Sequence, residues 1–524
     1  MRAGHQLAVL SLAVLAGCAV GPDFKPPAAA VPPTWRVSDD PRLATAVAAE
    51  SQWWKSFNDP ALDNLIELGR KQNLPLQIAG LRIVESRAQL AIAFGQLFPQ
   101  IQALFGSALA NRLSQNSPQI ANLPNIPGFN PTTSFIDYQA GFDAAWELDF
   151  WGKYRRGIQA GTASLLSQVA DYYSGIVSLS AEVARTYVLI RTSEVLIDLA
   201  IANVKLQEQA LQIATARFQN GATSELDPTQ AAAQLEATRA SIPQLQIGLE
   251  QAGHALCTLL GLTQGTVETL LAGARQIPKA PASIAVGMPA EMLRRRPDIR
   301  SAELTAAAQC ARIGVAKAEL FPSFTLLGSI GLESSSHGSN FTSFATTDSL
   351  FYTAGPRVNL PFLNYGRLTN GVRVQDARFQ ELLVSYQNTV LQAAQEVEDG
   401  LSGYLRSQEQ AAAEDRAVAA AQRAVEIATA AYREGAVDFQ RVIDAQRTLL
   451  GEQNNAAQAT SAISTNLIAV YKALGGGWEP YAGEPVVPAQ TQREMKARTN
   501  WGDLLSEPSR VETKSPATKP QMKP

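Results

Sequence analysis

The sequence predicts an α+β membrane fold, duplicated within one chain, and three observations predict it. The first is a repeat: the chain reads Ala216-Arg217-Phe218-Gln219-Asn220-Gly221-Ala222 at one place and Ala430-Ala431-Tyr432-Arg433-Glu434-Gly435-Ala436 at another, 214 residues later. The same separation relates Gly152 to Gly366, Val183 to Val397, Leu235 to Leu449, and Leu260-Gly261 to Leu474-Gly475. Leu97-Phe98-Pro99 recurs as Leu320-Phe321-Pro322 in a slightly different register, so the chain is a tandem duplication with an insertion or deletion between the anchors. The second observation is a pair of segments in each copy with apolar residues at every other position. The third is a heptad seam longer than a single globular domain can use. A solenoid repeats every few tens of residues, so a period this long means that each copy holds several elements.

At the amino terminus, Arg2 and His5 precede an apolar run at 7–16 that ends in Leu15-Ala16-Gly17-Cys18. The run is too short to span a bilayer permanently and has the order of a secretory signal. Its end resembles a bacterial lipobox, which implies cleavage before Cys18 and a covalent lipid upon it. Ala19, rather than aspartate, comes next, and that points to the outer membrane. An ordinary signal peptide with an incidental cysteine is the alternative. Cys257 and Cys310 fall inside helical patterns and read as small core residues, not as a disulfide framework. The proline-rich stretch at 21–33 reads as an extended tether.

A net charge of −3 with 46% hydrophobic residues excludes a nucleic-acid binder and a helical membrane protein. No apolar run after Ala16 reaches the roughly 18 residues of a membrane helix, so any spanning structure must be β.

Helical patterns run from Pro60 to about Lys71 and from Pro75 to about Leu97, and each copy's Phe-Pro pair ends such a pattern because proline removes a helix donor. Beyond it, Tyr138, Ala140, Phe142, Ala144, Trp146 and Leu148 face one way while Gln139, Gly141, Asp143 and Glu147 face the other, the period of a strand with one apolar and one wet side. A weaker partner covers about 100–110, and the loop at 111–134 is rich in Asn, Pro and Ser. In the second copy Phe324, Leu326, Ile330 and Leu332 alternate with Thr325, Ser329 and Glu333, followed by a loop at 334–349 and a strand at 350–360. Four strands cannot close a barrel round a pore, but several chains could. A soluble hairpin resting on helices is the competing reading.

From Leu165 to Phe218 a seam advances in alternating steps of four and three residues, interrupted by polar Thr186, Ser193 and Gln207, and Tyr386, Val390, Ala393, Val397, Gly400 and Tyr404 repeat it. A helix of about 65 residues is about 100 Å long. Each long helix is expected to turn at its glycine, Gly221 or Gly435, and return as a shorter one at 227–260 or 438–474. The glycines suit positive-φ helix ends, and Asp227-Pro228 or Asp438 suits the next N-cap. The pattern fits a curved coiled-coil wall with water inside; a plain coiled-coil rod is the alternative for the helices taken alone.

An enzyme finds little support. His5, His254 and His337 stand in no metal-ligand spacing, and no phosphate loop or nucleophile motif appears. Five methionines suggest no soft-metal path. No cofactor is expected beyond the lipid on Cys18, and no nucleic acid.

The lipobox, Val20-Gly21-Pro22-Asp23-Phe24, the duplicated Phe-Pro ends, Met288-Pro289-Ala290-Glu291-Met292-Leu293-Arg294-Arg295-Arg296-Pro297-Asp298-Ile299 and Val442-Ile443-Asp444-Ala445-Gln446-Arg447 together resemble the outer membrane efflux protein family (TolC-like). More narrowly they resemble its NodT-like lipoprotein branch, which serves resistance-nodulation-division pumps. The resemblance covers about 18–478. It implies a homotrimer in which each protomer gives four strands to one outer-membrane β-barrel and long helices to a periplasmic α-barrel. The domains expected are a signal peptide at 1–17, a lipidated tether and equatorial segment at 18–59, repeats at 60–265 and 297–478 joined by a linker at 266–296, and a mostly disordered tail at 479–524.

The same resemblance implies a periplasmic gate of Asp444, Arg447, Tyr432 and Arg433. Asp444 would form a carboxylate ring about the threefold axis, and three like charges in a throat repel unless paired. Arg441 stands where some relatives have a second acid, which puts a double ring in doubt. A periplasmic adaptor would dock at the tips Gly221-Ala222 and Gly435-Ala436, and an inner-membrane pump would push drugs or other small molecules through the channel. The alternatives are the outer-membrane factor of an ABC-driven type I secretion system and a structural lipoprotein scaffold with no pore.

Overall fold

The computed structural model describes residues 19–27, 31, 33–44, 51–121, 133–271, 275–287, 289–336 and 344–505. The signal, Cys18, His337 and residues 506–524 lie outside them. The principal elements are α1 (Pro60–Gln72), α2 (Leu74–Gly95), β1 (Ile101–Arg112), β2 (Ser134–Glu147), α3 (Lys153–Gln219), α4 (Leu226–Leu260), α5 (Pro297–Ala318), β3 (Ser323–Ser335), β4 (Leu350–Asn359), α6 (Arg367–Arg433), α7 (Phe439–Ala473) and α8 (Ala489–Arg498). The duplication is visible in the lengths: α3 and α6 have 67 residues each, and α4 and α7 have 35 each. Among the described residues no helix is long and apolar enough to cross a membrane.

Two compact units divide the chain. One holds Glu85–Leu165, Leu304–Leu383 and the residues up to Pro26, and the other holds Pro27–Val84, Leu166–Glu303 and the residues from Val384 onward.

The first unit contains a four-stranded antiparallel sheet in the order β1-β2-β3-β4. Leu104, Phe142, Ile330 and Tyr352 form one cross-strand row, and all four are exposed. Ala140, Leu332 and Leu350 form the next row on that face, and Trp146, Leu326 and Pro356 another. The opposite face carries Gln139 beside Glu333, Asp143 beside Ser329 and Thr353, and Thr325 beside Arg357. The period-two pattern therefore resolves into an apolar side and a more polar side, on which the row Phe105–Gly141–Gly331–Phe351 interrupts the polar rows, the two rings approaching to 6.5 Å over the glycine pair. A Cβ at Gly141 would lie 2.6 Å from the Ile330 carbonyl oxygen and 2.9 Å from the Phe105 ring. Only glycine admits that approach. Among the described residues β1 and β4 each pair on one side only.

The second unit is built on the heptad seams. Val169, Ile176, Val183, Ile190 and Ala214 of α3 are buried, as are Val390, Ala393, Val397 and Tyr404 of α6. The polar entries Thr186, Ser193 and Gln207 are buried with them, whereas Phe218 at the end of the seam is 41% exposed. Gly400 allows α6 and α7 to touch, since a Cβ there would lie 3.2 Å from the Val470 amide. The chain before α1 packs Trp53, Trp54 and Phe57 into the core, with Trp53 stacked on Tyr471 at 5.4 Å. Asp59 caps α1 by accepting from the Ala61 and Leu62 amides, with Pro60 preset for the first turn. The expected linker is partly structured: Ile284–Ala285 pairs in parallel with Leu43–Ala44, and Pro289–Arg295 is helical.

Three expectations need correction. The stretch at 21–27 is irregular as expected but is no loose tether, because the buried Arg156 holds it by the Gly21 carbonyl and the Asp23 carboxylate. The tail at 479–505 is ordered: Tyr481, Val486, Val487, Met495 and Leu505 are buried, and Ala489–Arg498 is helical. The Tyr481 hydroxyl donates to Glu67 and its ring lies 4.2 Å beneath the Arg70 guanidinium, so a few apolar anchors outweigh the Pro- and Lys-rich composition. Finally, Asp438 caps α7 by accepting from the Arg441 amide, but Asp227 lies inside α4 and gives its carboxylate to side chains instead.

Candidate functional site at the helical hairpin tips

Both long helices end in the same way. Gly221 and Gly435 have φ of +73° and +80°, and each donates its amide to the carbonyl three residues back, Phe218 or Tyr432. The following alanines, Ala222 and Ala436, reach five residues back to Arg217 and Ala431, both at 2.8 Å. This is the Schellman arrangement, which satisfies carbonyls left over at a helix end and needs a residue at ease in the left-handed region.

The two tips are alike in backbone and unlike in side chains. Arg217 lies in the last turn of α3, and its Nη1 donates to the carbonyls of Tyr432 and Arg433, at 3.0 Å for the latter. Those carbonyls are at the negative end of the α6 dipole, where a cation is stabilised. The guanidinium also sits 4.8 Å from the centre of the Tyr432 ring. Tyr432 is buried, packs against Phe439 at 5.0 Å and donates its hydroxyl to Asp227 at 2.8 Å. Asp227 accepts a second hydroxyl, from Thr223. Burial, then the Asp227 carboxylate, pushes the Tyr432 phenol up to about 12. Around it, Ala210, Ala214, Ala231, Phe439, Val442 and Ile443 form a small core of mostly short side chains.

The remaining residues suggested by the sequence stand outside this core. Asp444 is on the exposed face of α7 and accepts from Gln440 at 2.9 Å. Arg447 is also exposed and donates through Nε to Gln234 of α4 at 2.6 Å. Among the described residues neither is in an ion pair within the protomer, and the exposed Arg433 contributes a carbonyl to the tip contact. The structure thus joins Tyr432 and Arg433 through Arg217, places Arg447 across the α4–α7 pair, and leaves Asp444 facing outward.

Arg217 and Asp227 were missed as tip residues by sequence reasoning. The position equivalent to Tyr432 in the first copy is Phe218, which has no hydroxyl, and the position equivalent to Arg217 in the second copy is Ala431; those breaks in the repeat are local signals that the tips differ in chemistry. Among the described residues no cluster of His, Cys, Asp and Glu could hold a metal ion.

With this geometry in place, comparison with known proteins is decisive. The sequence model of the outer membrane efflux proteins matches residues 65–262 and 288–476, one block in each copy of the duplication. The chain belongs to the outer membrane efflux protein family. It is 31% identical over 456 residues to the pyoverdine export outer membrane protein OpmQ of Pseudomonas putida, covering 86% of this chain and 94% of that protein. It is 29% identical over 474 residues to nodulation protein T of Rhizobium leguminosarum bv. trifolii, covering 90% and 96%. The solved structure of the outer-membrane channel OprN superposes with a TM-score of 0.81 at 32% identity, covering 88% of this chain and all of that one. This efflux protein is accordingly an outer-membrane channel component of an efflux pump, in the outer membrane of a Gram-negative bacterium.

Proposed function

We propose that three copies of this chain close one β-barrel, edge strand to edge strand, and that their helical hairpins form a periplasmic duct shut at the tips until an adaptor engages it. The observation that carries this reading is the sheet of β1–β4, with an apolar face, a polar face and two edges unpaired among the described residues, in a chain of the outer membrane efflux family. A membrane β-structure tolerates no open edge and needs an apolar outer band round a polar lumen, so β1 and β4 require partners from other copies.

Conduction is passive. A resistance-nodulation-division pump in the inner membrane supplies energy and chooses the cargo, and the channel performs no chemistry. The periplasmic adaptor docks at Gly221-Ala222 and Gly435-Ala436 and separates the tips. Asp444 forms the acidic ring at the constriction, Arg447 ties α7 to α4, and Tyr432 and Arg433 together with Arg217 and Asp227 hold the two hairpins of a protomer together. A lipid on Cys18 adds a membrane anchor.

Purified protein in mild detergent, followed by reconstitution into planar bilayers, tests this. Trimers that resist mild heating and give discrete single-channel currents are expected. Monomers, or trimers that insert without current, would favour the scaffold instead.

A further inference from the structure

Arg156, in the first turn of α3, is buried, and its guanidinium divides between two main-chain carbonyls and two side chains. Its Nε donates to the Val20 carbonyl at 3.2 Å and its Nη2 to the Gly21 carbonyl at 3.3 Å; Nη2 also pairs with the Asp23 carboxylate at 2.9 Å, and Nη1 reaches Gln159 at 3.0 Å. Three glycines clear the bed in which this segment lies. A Cβ at Gly21 would stand 2.5 Å from the Gly314 Cα, one at Gly314 would stand 2.9 Å from the Val20 oxygen, and one at Gly152 would stand 2.7 Å from the Ala19 Cα. The Val20 amide donates to the Trp151 carbonyl at 3.0 Å, the Pro22 carbonyl covers the Cys310 Sγ at 3.6 Å, and Phe24 meets the edge of Phe379 at 6.5 Å. The residue equivalent to Arg156 in the second copy is Asn370, so the duplication did not carry this device over.

We propose that residues 19–24 form a fixed latch that sets where the amino-terminal lipid enters the membrane, with Arg156 as its positioning residue; this rests on Cys18 bearing that lipid. Ala19, one residue from Cys18, is seated against Gly152 beside Trp151. The Trp151 ring stacks on Phe321 at 4.6 Å and its Nε1 donates to the Pro322 carbonyl at 2.8 Å, at the foot of β3. Aromatic girdles mark the membrane–water boundary of a β-barrel. A latch that ends there gives the acyl chains no slack: they enter the bilayer at the level of the aromatic pair, in register with the strands.

The test uses the full-length, lipidated protein in outer-membrane vesicles, with Cys310 as the reporter and the buried Cys257 as internal control. Gly21→Ala drives a methyl into the Gly314 backbone and so unseats the latch from α5, and Arg156→Lys, which adds no bulk there, keeps the charge while losing the planar fork that serves two carbonyls and a carboxylate. Maleimide labelling read by mass spectrometry is expected to leave both thiols protected in the wild type. In Gly21→Ala, Cys310 should react at least about tenfold faster, the effect of about 1.4 kcal/mol on a local opening equilibrium, with Cys257 unchanged and Arg156→Lys in between. A photoreactive fatty acid on Cys18 should cross-link to peptides containing Trp151 or Phe321 in the wild type and lose that preference in Gly21→Ala. Equal protection of Cys310 in wild type and Gly21→Ala would overturn the latch, as would equal acceleration of both cysteines. An amino-terminal peptide of unacylated mass would end the lipid reading, whatever Cys310 does.

Discussion

The hydroxyl of Tyr432 donates to the carboxylate of Asp227 at 2.8 Å, joining residues 205 apart in the chain and linking the end of α6 to the first turn of α4. With Arg217 bonding back to the carbonyls of Tyr432 and Arg433, each hairpin supplies one clasp for the other.

Tyr432→Phe removes the phenol and leaves Asp227 with Thr223 as its hydroxyl partner. Loss of about 1.5–3 kcal/mol of tip stability is expected for a hydrogen bond to a charged group. Asp227→Asn should cost a similar amount, and the double variant should cost less than the sum of the two. Strict additivity in a double-mutant cycle, read by thermal melting, would mean that the two groups act independently.

Arg217→Ala withdraws the cation from the α6 carboxyl end and from the Tyr432 ring. Cells carrying it should become more permeable to large antibiotics as the channel leaks. Arg217→Lys should restore only part of the closure, since an ammonium cannot reproduce the fork together with the ring contact. Full restoration by lysine would show that charge alone is needed.

The Tyr432 phenol, held up to about 12, keeps its proton where the unfolded chain, near 10, has lost it. The folded state then binds more protons between about pH 10 and 12, so its stability is complete below 10 and falls as pH rises through that window. Burial raises Tyr172, Tyr386 and Tyr404 as well, and the slope specific to the tip is the difference between wild type and Tyr432→Phe. Melting curves of both between pH 9 and 11 should converge as pH rises; parallel curves would remove Tyr432 from the account.

Gln446 and Gln207 are both 2% exposed in the coiled-coil seams, and neither Gln207 amide atom nor the Gln446 Nε2 has a partner among the described residues. A buried polar group without a partner costs about 1–3 kcal/mol by protein mutational data. Gln446→Leu should raise the melting temperature and make the closed channel harder to open. A lower melting temperature would mean that the assembled barrel supplies the missing partner.

What the sequence disclosed, and what it hid, divides along physical lines. Period-two and heptad spacing recur along the chain, so the strands, the long helices and the glycine tips were legible, Phe-Pro ends included. Arg217 and Arg156 were not legible, because their partners are backbone carbonyls 215 and 136 residues away, and a carbonyl leaves no mark in a sequence. Asp227 followed by proline reads as a cap by local rules, yet a tyrosine from the other copy competes for its carboxylate and prevails. The tail misleads by composition, because Tyr481, Val486 and Val487 are few but each finds a seat. Asp444 came from family resemblance alone, and its exposure in the protomer is what an acidic ring completed by other copies would require.

A gated pore is what the fold is proposed to form, and single-channel conductance of the purified full-length protein in a planar bilayer decides it. Wild type and Asp444→Ala should be compared under the same salt and voltage. The account predicts small currents from the wild type and clearly larger ones from Asp444→Ala, because removing the acidic ring releases the constriction. No current from either protein, with trimers and insertion verified, would contradict it.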